Sequence, residues 1–303
     1  MRQFVARFPV LSFMALTLGY QVAVMGFIAW RAGSGAHLEE DEGVHMVFRL
    51  RLFGPLIFAM LITWYVEGRT GLATLFNGFK NWRVPMRWYA LAFSWKFLFT
   101  WCGIAALALL GWRHWPGFFI DGLWGGEWAT LKNLLRAFPF IVAIAFVEET
   151  SWMKFSATRL QDRYPAAVAC LFTGIGWALW YMPMLLVGEG VPDGYPVPVF
   201  MLSMVALAFL LGWAYNMTHS GVVLLIMQIV SNCAFFLLPV LPGLHEMDAA
   251  YVNSFVAVNV LSAVTLVLVY GWRELGRGKR ATWSAALAEA QRMEQAADLR
   301  NAA

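Results

Sequence analysis

Apolar segments long enough to cross a bilayer recur along the whole chain, and that recurrence leaves few folds open. Stretches at 9–30, 50–66, 88–111, 135–153, 165–187, 197–215, 219–241 and 252–272 are largely hydrophobic. About 20 such residues span the hydrocarbon core as a helix. None shows the ten-residue alternation of a membrane barrel. The fold class expected is therefore all-α, a polytopic helical membrane bundle of about eight transmembrane helices. A soluble surface is excluded by 60% hydrophobic residues, with 16 Trp and 24 Phe among 303 positions. The lipid bilayer is the first partner implied. A formal charge of +4 needs no nucleic acid to explain it, because basic loops beside lipid account for it.

Arg2 and Arg7 precede an apolar run from Pro9 to Trp30 that is too long for a signal peptide and lacks a small-residue cleavage pattern, so it reads as a retained first span. The second span is short and carries Gly54-Pro55, which predicts a tilted, kinked or partly re-entrant helix. With the N-terminus inside, fifteen Lys and Arg residues fall on the cytoplasmic side and six on the other. This places both termini in the cytoplasm and the chain in a cytoplasmic (inner) membrane. The acidic segment from His37 to His45 reads as a solvated outer loop, and 68–87 as an amphipathic helix in the headgroup layer. Cys102, Cys170 and Cys233 each stand alone in an apolar run and read as small core residues.

Glu148 and Glu149 close the fourth span, and ionisable groups at membrane depth usually face a protein interior or a wet cavity. They lie about 100° apart on a helix, so one can enter a polar cavity while the other supports it. An acidic pair at a helix end in the headgroup layer is the alternative. Lys96, inside the third span, is a candidate partner for either acid, as is Lys154. Lys154, Arg159 and Arg163 read as a basic turn following the span. In the fifth span, Tyr181 follows Trp177 by one turn and precedes Pro183, which makes its hydroxyl a candidate donor to a cavity or an ordinary packing phenol. In the seventh, Gln228 and Asn232 share one helix face, as a binding pair or as interhelical glue.

Glu148-Glu149-Thr150-Ser151-Trp152-Met153, Trp177-Ala178-Leu179-Trp180-Tyr181-Met182-Pro183 and Gln228-Ile229-Val230-Ser231-Asn232 together resemble the motifs of the CAAX-protease and bacteriocin-processing (CPBP) family of intramembrane proteases. That family's pattern is EExxxR, FxxxH and HxxxN. Met153 stands where the resemblance places Arg, while Tyr181 and Gln228 stand where it places His. The resemblance implies a glutamate that activates water for attack on a peptide carbonyl, with His and Asn side chains holding that water and stabilising the oxyanion. In the metal-dependent description of the family, a divalent ion sits on these residues. The resemblance covers a CPBP-like core at about 88–240, and the apolar runs leave an N-terminal region at 1–87 with its transmembrane helices and interfacial segment, a last span within 241–272 and a cytoplasmic helical tail at 273–303.

Losing both histidines removes the neutral imidazoles that ligate zinc, so neither a metal nor another cofactor is expected. The site residues expected are Glu148, Glu149, Tyr181, Gln228 and Asn232. Weakened or lost proteolysis is the reading, a pseudoprotease that binds a hydrophobic or membrane-associated peptide or a partner protein's helix. An active, metal-independent glutamate endopeptidase is the alternative, and a proton-linked carrier the second alternative. The tail at 281–300 is too polar to span and is expected as a surface helix. A reporter fused to the C-terminus should read out cytoplasmic, and an external readout would overturn the charge-based topology.

Overall fold

The computed structural model describes residues 2–33, 41–120, 129–187, 196–239 and 248–302, and among these every regular element is a helix. In chain order they are α1 (Arg2–Arg7), α2 (Pro9–Ala32), α3 (Glu42–Leu50), α4 (Gly54–Phe76), α5 (Met86–Leu109), α6 (Ala129–Glu148), α7 (Thr158–Gln161), α8 (Ala166–Tyr181), α9 (Val197–Thr218), α10 (Gly221–Leu237), α11 (Ala249–Tyr270) and α12 (Trp283–Ala302). Seven segments are long and apolar enough to cross a membrane, and α10 is a shorter apolar helix. The protein is a helical membrane bundle. Its outer surface is studded with exposed Leu, Phe and Trp, as lipid contact requires.

The boundaries follow local chemistry. Asp41 caps α3 by accepting from the Gly43 and Val44 amides, so part of the expected outer loop is helical; His37 to Glu40 lie outside the described residues. Pro55 sits in the first turn of α4, where its missing N–H is harmless. It therefore starts the helix and does not kink it. The break in α4 comes later, at Gly68, whose φ of +67° is a conformation that residues with a side chain rarely adopt. The expected long amphipathic helix at 68–87 is shorter in fact: α4 resumes to Phe76, a tight turn covers Asn77–Lys80, and the chain then extends into α5.

α8 and α9 pack closely because Gly174 and Gly212 face the contact. A methyl on Gly174 would stand 2.6 Å from the Val205 Cα, and one on Gly212 would stand 2.3 Å from the Cys170 sulfur. α11 then packs on α5 and α9, α10 on α5 and α6, and α2 on α4. Cys170 is buried as expected, whereas Cys102 lies exposed on the outside of α5 and Cys233 is half-buried.

The fourth span overruns its expected end at 153. After α6 the chain continues as a wholly buried π-helix, Glu149–Ala157, and then as α7. Lys154 and Arg159 are therefore interior groups, not members of a solvated turn. Arg159 donates through both terminal nitrogens to Glu67 at 2.8 and 2.7 Å, and its guanidinium lies 3.8 Å from the Trp283 ring. Trp283 donates its indole N–H to the same carboxylate at 2.9 Å. Ser284 adds bonds to Asp162. The expected surface helix is thus anchored at its start by a buried cluster. Truncating Glu67 to Ala strands Arg159 and should cost about 3–5 kcal/mol, read as a lower melting temperature in detergent, with α12 becoming open to protease. An unchanged melt would show that the pair is dispensable.

Candidate active site

Two helix ends and the middle of a third helix converge inside the bundle. Glu148 is the last residue of α6, Tyr181 the last of α8, and Gln228 lies midway along α10. α8 stops at Tyr181 because Pro183 follows, and the chain tightens into a turn over Met182–Val187. Trp177, one turn earlier, shares the face of Tyr181 and stacks on Trp152 at 6.0 Å, with the rings 13° from parallel.

These elements surround the Glu148 carboxylate. Tyr181 donates its hydroxyl to Oε1 at 2.7 Å, and the Trp177 indole N–H points to the same oxygen at 3.4 Å. Gln228 donates Nε2–H to Oε2 at 2.7 Å. Glu148 is 1% exposed, so these donors replace water that a carboxylate would otherwise hold.

Glu149 is in a different condition. It is equally buried, close enough to feel the Glu148 charge, and neither of its oxygens has a hydrogen-bond partner. The Thr150 and Ser151 hydroxyls and the Trp152 indole nitrogen are likewise buried without partners. Orphaned polar atoms are rare in folded interiors, and these five lie on consecutive residues of one π-helical stretch, whereas the others among the described residues are scattered through the bundle. π-helical turns of this kind recur at functional sites.

Of the five expected site residues, the structure joins Glu148, Tyr181 and Gln228 by direct hydrogen bonds. Glu149 adjoins them without such a bond. Asn232, one turn beyond Gln228, is half-buried and forms no hydrogen bond among the described residues. The expected cationic partners lie elsewhere. The Lys96 ammonium rests 4.1 Å from the Phe255 ring, and Lys154 donates to the Tyr215 hydroxyl at 2.9 Å. The cation that acts on Glu148 is Arg51, from the junction between α3 and α4. It is 1% exposed, 4.2 Å from the Phe48 ring, and within 3.1 Å of the Met184 sulfur. Sequence reasoning missed it, because a basic residue at the edge of an apolar run reads as a loop charge. Trp177 as a donor was more accessible, since it lies one turn from Tyr181.

Residues 130–234 match the family model of the type II CAAX prenyl endopeptidases, described as Rce1-like. This stretch of the bundle is similar to that family. No curated protein matches the chain. The Rce1-like stretch runs from α6 to α10 and holds all five expected site residues, whereas Arg51 comes from outside it.

The donor set, which has no imidazole, suits zinc poorly. The phenol and the amide N–H that occupy the histidine positions both donate to Glu148, which turns their hydrogens, not lone pairs, toward the carboxylate. No step through a metal follows from these residues. Two substitutions separate the roles of the acids. Tyr181→Phe removes a donor from a buried carboxylate and should lower stability by about 1–3 kcal/mol. Glu149→Gln removes a buried charge that no hydrogen bond holds, and should melt at the same temperature or higher at neutral pH. A marked fall for Glu149→Gln would make it part of a structural ion pair.

Proposed function

We propose that this multi-pass membrane protein uses its Rce1-like core to bind a hydrophobic peptide, or the spanning helix of a partner, without efficient hydrolysis. The observation that carries the reading is that Tyr181 gives its one hydroxyl proton, and Gln228 one amide N–H, to Glu148. Peptide hydrolysis requires donors aimed at the position where the oxyanion develops, and losing one such donor lowers the rate by about 10²–10³. Here the single O–H of the phenol at one histidine position and one of the two amide N–H groups at the other are engaged with a carboxylate, which holds Glu148 in place and leaves the phenol no proton to offer a tetrahedral intermediate. The unpartnered polar atoms from Glu149 to Trp152 support a binding role, because a peptide backbone brings the amide groups that would satisfy them.

One observation favours a second reading. Glu149 has both oxygens uncommitted in a dry setting, the condition of a general base in a metal-independent endopeptidase. The two readings part on turnover. Reconstituted protein should retain a labelled prenylated or strongly apolar peptide intact, and retention should persist in Glu149→Gln. Hydrolysis that disappears in Glu149→Gln would establish the enzyme instead. Elemental analysis of the purified protein should find no stoichiometric zinc dependent on Glu149; one zinc per chain lost in Glu149→Ala would reverse the assignment.

A further inference from the structure

A cavity of about 610 Å³ lies at the end of the bundle that carries α12. Its walls come from the turn after α4, the junction of α9 and α10, the Lys154 stretch of the π-helix, the segment 279–282 and one largely exposed face of α12. None of the Glu148 site residues lines it. Its lining holds five cations, Lys80, Lys154, Lys279, Arg280 and Arg292, against a single carboxylate, Glu289.

Few of those charges are answered by the protein. Arg280 pairs with Glu274 at 3.0 Å. Lys154 is 6% exposed, and its ammonium has one hydrogen-bond partner, the neutral Tyr215 hydroxyl. Among the described residues Lys80, Lys279 and Arg292 form no ion pair. His219, in a left-handed conformation between α9 and α10, lines the same space. Burial and then the Lys154 charge push its imidazole below the ordinary range, so at neutral pH the ring adds polarity without further positive charge.

Like charges gathered around one partly enclosed volume repel, and a polyvalent anion relieves that repulsion more effectively than bulk solvent does. Ammonium and guanidinium groups are phosphate ligands, and basic pockets at the ends of transmembrane helices hold lipid headgroups. The volume is of the size used for small-ligand sites and far exceeds that of a halide. We propose that this cavity binds a phosphate group, borne either by an anionic lipid headgroup or by a soluble phosphate, and that the bound phosphate fastens α12 to the bundle. The attachment follows because α12 supplies Arg292 and Glu289 to the lining, while Lys154 belongs to the continuation of the fourth span.

The test uses the full chain. In detergent at constant ionic strength, melting is followed as inorganic phosphate replaces chloride; in phosphatidylcholine nanodiscs, it is followed as the fraction of phosphatidylglycerol rises. A saturable rise in melting temperature is expected in at least one arm. A response to inorganic phosphate identifies a soluble ligand as sufficient, and a response confined to phosphatidylglycerol identifies the headgroup. The double substitution Lys279→Gln/Arg292→Gln changes only exposed side chains and should leave the unliganded melt unchanged, while weakening half-saturation at least about tenfold. Lys154→Met, which keeps the stem and removes the charge, should weaken it similarly. No saturable rise in either arm, or half-saturation untouched by the double substitution, would overturn the proposal.

Discussion

A carboxylate at membrane depth has no water to hold it, and the need to supply donors from protein alone governs how this bundle closes. Glu148 draws its donors from two other helices. Tyr181 and Trp177 arrive on α8, and Gln228 arrives on α10. Each bond demands a particular rotation and depth of its helix, so the bonds fix α6, α8 and α10 relative to one another in a way that apolar packing alone does not. In a bilayer this matters more than in water, because lipid tails are as apolar as the helix faces and give no hydrophobic reason for one rotation over another. The close approach at Gly174 and Gly212 then locks α9 beside α8.

Much of the fold was legible because spanning length is a coarse, robust signal. Each apolar run overlaps a helix found, several running a few residues past its ends, and Gly68 breaks α4 close to the boundary expected at 66. What misled was the assumption that charge marks the end of a span. Lys154 and Arg159 look like a basic turn in sequence, yet the helix carries both into the interior, where Tyr215 and Glu67 receive them. Such partners lie far away along the chain, and nothing local announces them. The same holds for Arg51, whose setting is made by Phe48, Trp180 and Met184 from two separate regions. Within the candidate site, the spacing of Trp177 with Tyr181 and of Gln228 with Asn232 fixed which faces were polar. It did not fix which of two adjacent glutamates would be held, since that depends on the π-helical turn after α6.

The two polar regions of the protein differ in how charge is answered. Around Glu148 the answer is donors in a dry interior, and the neighbouring Glu149 is left unanswered. Around Lys154 positive charge accumulates at the bundle's end with one carboxylate among five cations. One continuous segment, Glu149–Ala157, begins in the first region and reaches the second. Glu149 and Lys154 therefore sit on one helical segment.

The position of positive charge explains why the site can dispense with a cation on its own helix. Met153 occupies the place where the motif resemblance sets an arginine, and it is 1% exposed, with its methyl close to Gly212 of α9. A guanidinium there would meet the tightest helix contact in the bundle. Arg51 instead brings the charge from the N-terminal side, stacked on aromatic rings that tolerate a weakly hydrated guanidinium. The electrostatics of Glu148 thus depend on an element that lies outside the matched stretch at 130–234. The segment between α3 and α4 that carries Arg51 contributes charge near the acidic pair from outside that stretch.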